Sequence, residues 1–122
     1  MNKIRLGIIG AGHLGKIHAK LAHELDEFDV VAVADPSEAS LRELAAEIPV
    51  TTVDEHCELI GKIDAAIIAV PSTLHHQVAT ELLDAGVHLF VEKPIAVSVG
   101  EADEMVSIAD ERGVILQVGH VE

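Results

Sequence analysis

The apolar run from Lys3 to Ile9 leads directly into Gly10-Ala11-Gly12-His13-Leu14-Gly15, and this junction constrains the fold more than any other stretch. A β-branched segment of that length, apolar at nearly every position, reads as a buried strand. The glycines after it permit a tight turn and close packing of the next element, and the pattern from about Gly12 to Leu25 reads as a helix. A strand that turns through glycines into a helix points to an α/β layer architecture.

The rest of the chain repeats that alternation. Val30 to Ala34 reads as a second strand, and Ser37 to Glu47 as a helix with Ala39, Leu41, Leu44 and Ala45 at near-helical spacing. Val50 to Val53 is a short strand, Asp54 is read as the N-cap of a helix running to Ile60, and Ile63 to Val70 is a long apolar strand closed by Pro71. Leu74, Val78, Leu82 and Leu83 mark one face of a helix ending at Gly86, followed by a strand from His88 to Val91. Ser98 with Glu101 has the spacing of a capping box, the helix it starts ends at Gly113, and Val114 to Val118 is a sixth strand. Six strands and five helices, with strands apolar on both faces, predict an α/β fold with a doubly wound parallel sheet and helices on both faces. At 122 residues the chain is expected to form one domain over 1–122.

Composition excludes several functions. Eight basic against 21 acidic residues give a formal charge of -13, which repels nucleic acids and anionic membranes. Phe28 and Phe90 are the only aromatic residues besides histidine, too few for a base-stacking platform. Without a long apolar run or a signal-peptide pattern, and with one cysteine, Cys57, read as a packing residue, a cytoplasmic location is expected.

Glycines at 10, 12 and 15 between a strand and a helix have the context of a dinucleotide site. Gly10 would permit the turn, Gly12 the approach of a pyrophosphate, and Gly15 close packing of the helix on the sheet. The helix N-terminus would then meet the phosphates, with His13 and Leu14 contributing backbone atoms. The competing reading is a tight turn alone. Asp35 follows 20 residues after Gly15 at the end of the second strand, where a carboxylate accepts from ribose hydroxyls and repels a 2'-phosphate. This favours NAD over NADP, with a turn or capping role for Asp35 as the alternative. Lys93 follows the fifth strand at its carboxyl end, flanked by Glu92 and Pro94. A lysine there could hydrogen-bond a reacting hydroxyl, or be an ordinary solvated loop residue.

Gly10 to Gly15 followed by His18, then Val70-Pro71-Ser72-Thr73-Leu74-His75, then Ala85-Gly86-Val87-His88 leading into Glu92-Lys93-Pro94, resembles the Gfo/Idh/MocA oxidoreductase family. The resemblance covers the whole chain and corresponds to the N-terminal half to third of a usual member. It implies NAD(P)-dependent hydride transfer on sugars, inositols or nucleotide sugars. It also implies that the loop of Val70, Pro71, Ser72 and His75 borders the dinucleotide, that Glu92 and Lys93 lie near the nicotinamide, and that Lys93 takes part in substrate binding and proton transfer. A histidine, often paired with an aspartate, would come from a second domain not contained in this chain. Gln117 to Glu122 would begin the crossing to it, so the chain alone is expected not to turn over and to associate as a homodimer through the surface left exposed. A stand-alone NAD-binding regulatory or interaction module is the alternative, and a methyltransferase is disfavoured by the full glycine pattern and by Glu92-Lys93-Pro94. Eight histidines do not imply a metal site, because His13, His18 and His23 wander round a helix and no HExxH is present.

Overall fold

The computed structural model describes residues 3–119. Its six strands are β1 (Ile4–Ile9), β2 (Phe28–Ala34), β3 (Thr51–Val53), β4 (Ala65–Ile68), β5 (His88–Val91) and β6 (Leu116–Val118). All pair in parallel, in the order β3-β2-β1-β4-β5-β6. The helices are α1 (His13–Glu24), α2 (Glu38–Ala45), α3 (His75–Asp84) and α4 (Val99–Arg112). This is the doubly wound sheet expected from the alternation of apolar runs. The crossing expected after Gln117 lies partly outside the described residues, as 120–122 are not among them.

Two apolar layers hold the helices to the sheet. Ile9, Ala66, Ile68 and Val91 meet Leu82 and Leu83 of α3 and Met105 of α4 on one side. On the other, Leu6, Ile8 and Val33 meet Ala19 and Ala22 of α1 and Leu41 and Leu44 of α2. The second layer extends to β4, whose half-buried Ala65 and Ile67 pack against it. These two residues, with His88, Phe90 and Gln117, also line an open apolar groove of about 740 Å³. Helices lie on both faces of the sheet as expected, and on the α1–α2 face the apolar residues toward β5 and β6 border this groove.

Four of the five predicted helices form. The stretch read as a helix from Asp54 makes only a 3-10 turn, His56–Leu59, capped by Glu55 instead of Asp54. Glu55 and Glu58 close a reciprocal capping box there, the next residue is Ile60, and Gly61 turns the chain away at φ +87°. One turn is enough to seat Leu59, the one buried residue of the segment. Leu74 lies on a second 3-10 turn, Ser72–Leu74, and is 44% exposed, so the buried face of α3 begins with His75. Ser98 Oγ caps α4 by accepting from the Glu101 N–H at 3.2 Å. Glu101 does not complete the box, and its Oε1 is buried without a partner.

At the amino end of the sheet, Arg5 and Asp64 tie β1 to the start of β4. Asp64 Oδ1 accepts from Arg5 Nη2 and Oδ2 from the Arg5 backbone N–H, both at 2.9 Å. The hydrogen bonds from Arg5 hold the Asp64 carboxyl below its ordinary value. A carboxylate lowered on folding adds stability above its unfolded pKa and loses it as pH falls through its folded value. Asp64→Asn should therefore lower the thermal midpoint slightly at neutral pH, the pair being half exposed. Melts of variant and wild type should converge in acid below the Asp64 titration; a constant offset at every pH would refute the linkage.

No helix among the described residues is long and apolar enough to cross a membrane.

Candidate functional site

In a parallel sheet, ligands bind beyond the carboxyl ends of the strands where the winding reverses. Here the reversal lies between β1 and β4, and the glycine turn sits on it. Gly10 has φ +110°, a conformation that L side chains rarely adopt. A Cβ on Gly10 would come within 2.5 Å of the Ala69 carbonyl oxygen, and one on Gly15 would collide with the Gly10 carbonyl. These two glycines are demanded by the packing of α1 on β1 and β4.

Gly12 is different. It has an ordinary φ of -75°, and a Cβ there would meet nothing within 4 Å. The space it leaves open lies at the N-terminus of α1, where no side chain caps the helix. The first helical bond runs from Lys16 N–H to Gly12 O at 2.9 Å, leaving the N–H groups of the first turn without helical acceptors. His13 and Leu14 are exposed in that turn. Unfilled donors, the positive end of a helix dipole and a residue without a side chain form a cradle that fits a pyrophosphate.

Asp35 closes β2 beside this turn. Its Oδ2 accepts from the Ala11 N–H and its Oδ1 from the Ser37 N–H, each at 2.7 Å. The turn-stabilising reading of Asp35 is thus realised, yet each oxygen keeps a lone pair for a further donor. Asp35 also lines a cleft of about 340 Å³ with Asp54, Glu55, His56, Val70 and Glu81. Among the described residues no lysine or arginine lines it. Cys57 opens onto the same cleft and is exposed, contrary to its reading as a packing residue, because the 3-10 turn buries Leu59 instead. Glu55, by hydrogen bonding the thiol, raises its pKa.

The loops after β4 and β5 complete the rim. Val70 and Ser72 are half-buried and Pro71 exposed, and of these three Val70 lines the cleft. His75 does not face it: the ring is 2% exposed, with Nδ1 against the Pro94 oxygen and Nε2 against the Val70 oxygen, both at 2.8 Å. A cofactor-side role for His75 would therefore pass through those carbonyl-bearing loops. Glu92 is likewise buried, 5% exposed, and paired with His18 of α1. Lys93 is exposed, with a cis peptide bond to Pro94. The His18–Glu92 pair escapes a reading of spacing alone, although His18 stands three residues after Gly15, near the same helix end. Among the described residues no three His, Cys, Asp or Glu side chains are grouped to hold a metal ion.

A parallel sheet in this order, with a glycine turn and an open helix end at its reversal, defines a dinucleotide-binding Rossmann domain. The family model for "Oxidoreductase family, NAD-binding Rossmann fold" matches residues 4–120. The chain belongs to the Gfo/Idh/MocA oxidoreductase family, and NAD is the cofactor of its fold. It is 34% identical over 122 residues to UDP-N-acetylglucosamine 3-dehydrogenase of Acidithiobacillus ferrooxidans, covering 100% of this chain and 38% of that protein. It is 31% identical over 120 residues to myo-inositol 2-dehydrogenase of Thermotoga maritima, covering 95% and 36% respectively. Among solved structures, the WlbA dehydrogenase of Bordetella pertussis, in complex with NADH and UDP-GlcNAcA, superposes with a TM-score of 0.90 at 30% identity. That match covers 97% of this chain and 35% of WlbA. The chain thus spans little more than a third of these relatives' length.

Proposed function

We propose that the chain is the NAD-binding portion of a dehydrogenase that moves a hydride between a carbinol carbon of a sugar, inositol or nucleotide sugar and the nicotinamide. The observation that carries this reading is the open cradle at Gly12, beside two glycines that the fold itself requires. Relatives named for UDP-N-acetylglucosamine and myo-inositol support the substrate class. Bound NAD would supply the hydride acceptor.

The chain's own residues would do the rest. Gly10, Gly12 and Gly15, with the N–H groups of His13 and Leu14, would seat the pyrophosphate, and Asp35 the adenosine ribose. The acidic lining of the cleft favours NAD, since Asp35, Asp54, Glu55 and Glu81 would repel a 2'-phosphate. Val70, Pro71 and Ser72 would border the dinucleotide, with Glu92 beneath its nicotinamide half. Lys93, whose ammonium has no ion pair or hydrogen bond among the described residues, would hold the reacting hydroxyl and manage its proton. The remaining substrate contacts would come from chain beyond this portion, so we expect the 122 residues alone not to turn over. We also expect them to self-associate through the groove over β4 to β6.

Calorimetric titration of the chain with NAD and NADP tests the reading. NAD should bind in the micromolar-to-millimolar range, with NADP weaker by about tenfold or more, or about 1.4 kcal/mol. Binding of neither cofactor would overturn it.

A further inference from the structure

We propose that the turn carrying Lys93 is held from both sides by two histidines, His18 of α1 and His75 of α3, acting as positioning residues. This rests on the reading that Lys93 works at the nicotinamide. On one side, the carboxylate of Glu92, the residue before Lys93, is paired with His18 Nε2 in a buried setting. The His18 ring stands edge-on to Phe90, with centroids 5.9 Å apart and planes at 64°. Gly119 closes that wall, because a Cβ there would come within 2.5 Å of the Phe90 ring. The helix that offers its N-terminus to the pyrophosphate therefore also grips the residue preceding Lys93.

On the other side, Pro94, the residue after Lys93, is held through its carbonyl by His75 Nδ1. The opposite ring nitrogen meets the Val70 carbonyl, so one imidazole joins the loops after β4 and β5. Both partners are carbonyl oxygens, which can only accept. A buried polar atom left without a partner is costly, so each ring nitrogen is placed against one of these oxygens. The buried ring is therefore fixed between the two loops, one nitrogen against each carbonyl.

The consequence is a division of labour along three residues. The neighbours of Lys93 are anchored to two different helices, while its own side chain stays exposed. Fixing the backbone beneath a reacting group, and leaving that group available, is how positioning lowers the cost of reaching a productive geometry.

Nuclear magnetic resonance on the isotope-labelled 122-residue chain tests this without any cofactor. Nuclear Overhauser contacts should join the His75 ring to Pro94 and the His18 ring to Phe90. In His75→Phe and His18→Leu, the backbone order parameter of Lys93 should drop from about 0.85 to below about 0.6, with β1 unchanged. Absence of those ring contacts, or a Lys93 as rigid in both variants as in the wild type, would overturn the proposal. Should the variants fail to fold, the wild-type ring contacts decide alone: their presence supports the proposal and their absence refutes it. Failure of the wild-type chain to bind NAD would instead strike the functional reading and leave these measurements standing.

Discussion

Gly15→Ala is expected to destabilise the chain severely, whereas Gly12→Ala should leave it folded and weaken NAD binding. The two substitutions add the same methyl group within one turn, so the contrast isolates what surrounds each position. At Gly15 the new carbon would collide with the Gly10 carbonyl, which is main chain and cannot swing aside. Relieving the overlap would push α1 off the sheet, a change of about 3 kcal/mol by analogy with overpacked cores. At Gly12 the methyl would meet no protein atom within 4 Å, and φ is already one that alanine adopts. Its cost should stay within about 1 kcal/mol, since alanine is a poorer N-cap than glycine. The methyl would fill the space a pyrophosphate needs, and NAD affinity should fall by about tenfold or more. Thermal melts and calorimetry on both variants check this. If Gly12→Ala bound NAD as the wild type does, the three glycines would serve the turn alone.

Asp35→Ala should lower stability and cofactor affinity together. The carboxylate is the acceptor for two backbone N–H groups, and one belongs to Ala11, a residue with no exposed surface. Leaving a buried donor unpaired costs about 1–3 kcal/mol, so the loss should be visible in a denaturant titration. Asn is a poor replacement, because its amide nitrogen would confront one of those two N–H groups. If Asp35 also accepts from the adenosine ribose, the alanine variant should bind NAD about tenfold more weakly and lose most of its discrimination against NADP. A variant that lost stability but kept full discrimination would confine Asp35 to the turn and shift selectivity to Asp54, Glu55 and Glu81.

Much of the framework is readable because strands and helices announce themselves locally. His88–Val91 runs as expected from its apolar pattern, and Ser98 caps α4 where its spacing to Glu101 suggests. Gly113 ends that helix at φ +67°. Local pattern fails where several local solutions compete. Asp54 and Glu55 are both acidic residues ahead of a short segment, and only the reciprocal bonds with Glu58 distinguish them. Leu74 belongs by period to the apolar face of α3, yet a 3-10 turn ahead of the helix rotates it into solvent and brings His75 to the buried position. Cys57 reads as core by residue type and is exposed because its turn has room to bury just one side chain, Leu59.

Sequence by itself determined the alternation of strands and helices, the glycine turn at the head of α1 and the acidic residue at the end of β2. Each is a short-range pattern, set by side-chain period, backbone freedom and capping within a few residues. Tertiary structure alone decided that Gly12 faces open space while Gly15 faces a carbonyl. It also decided that an apolar groove stays open along one face of β4 to β6, and that His18 and His75 converge on the residues flanking Lys93. His18 and Glu92 lie 74 residues apart, and His75 and Pro94 lie 19 apart. Which of these partners meet depends on the order in which the parallel strands assemble, and no local periodicity carries that order.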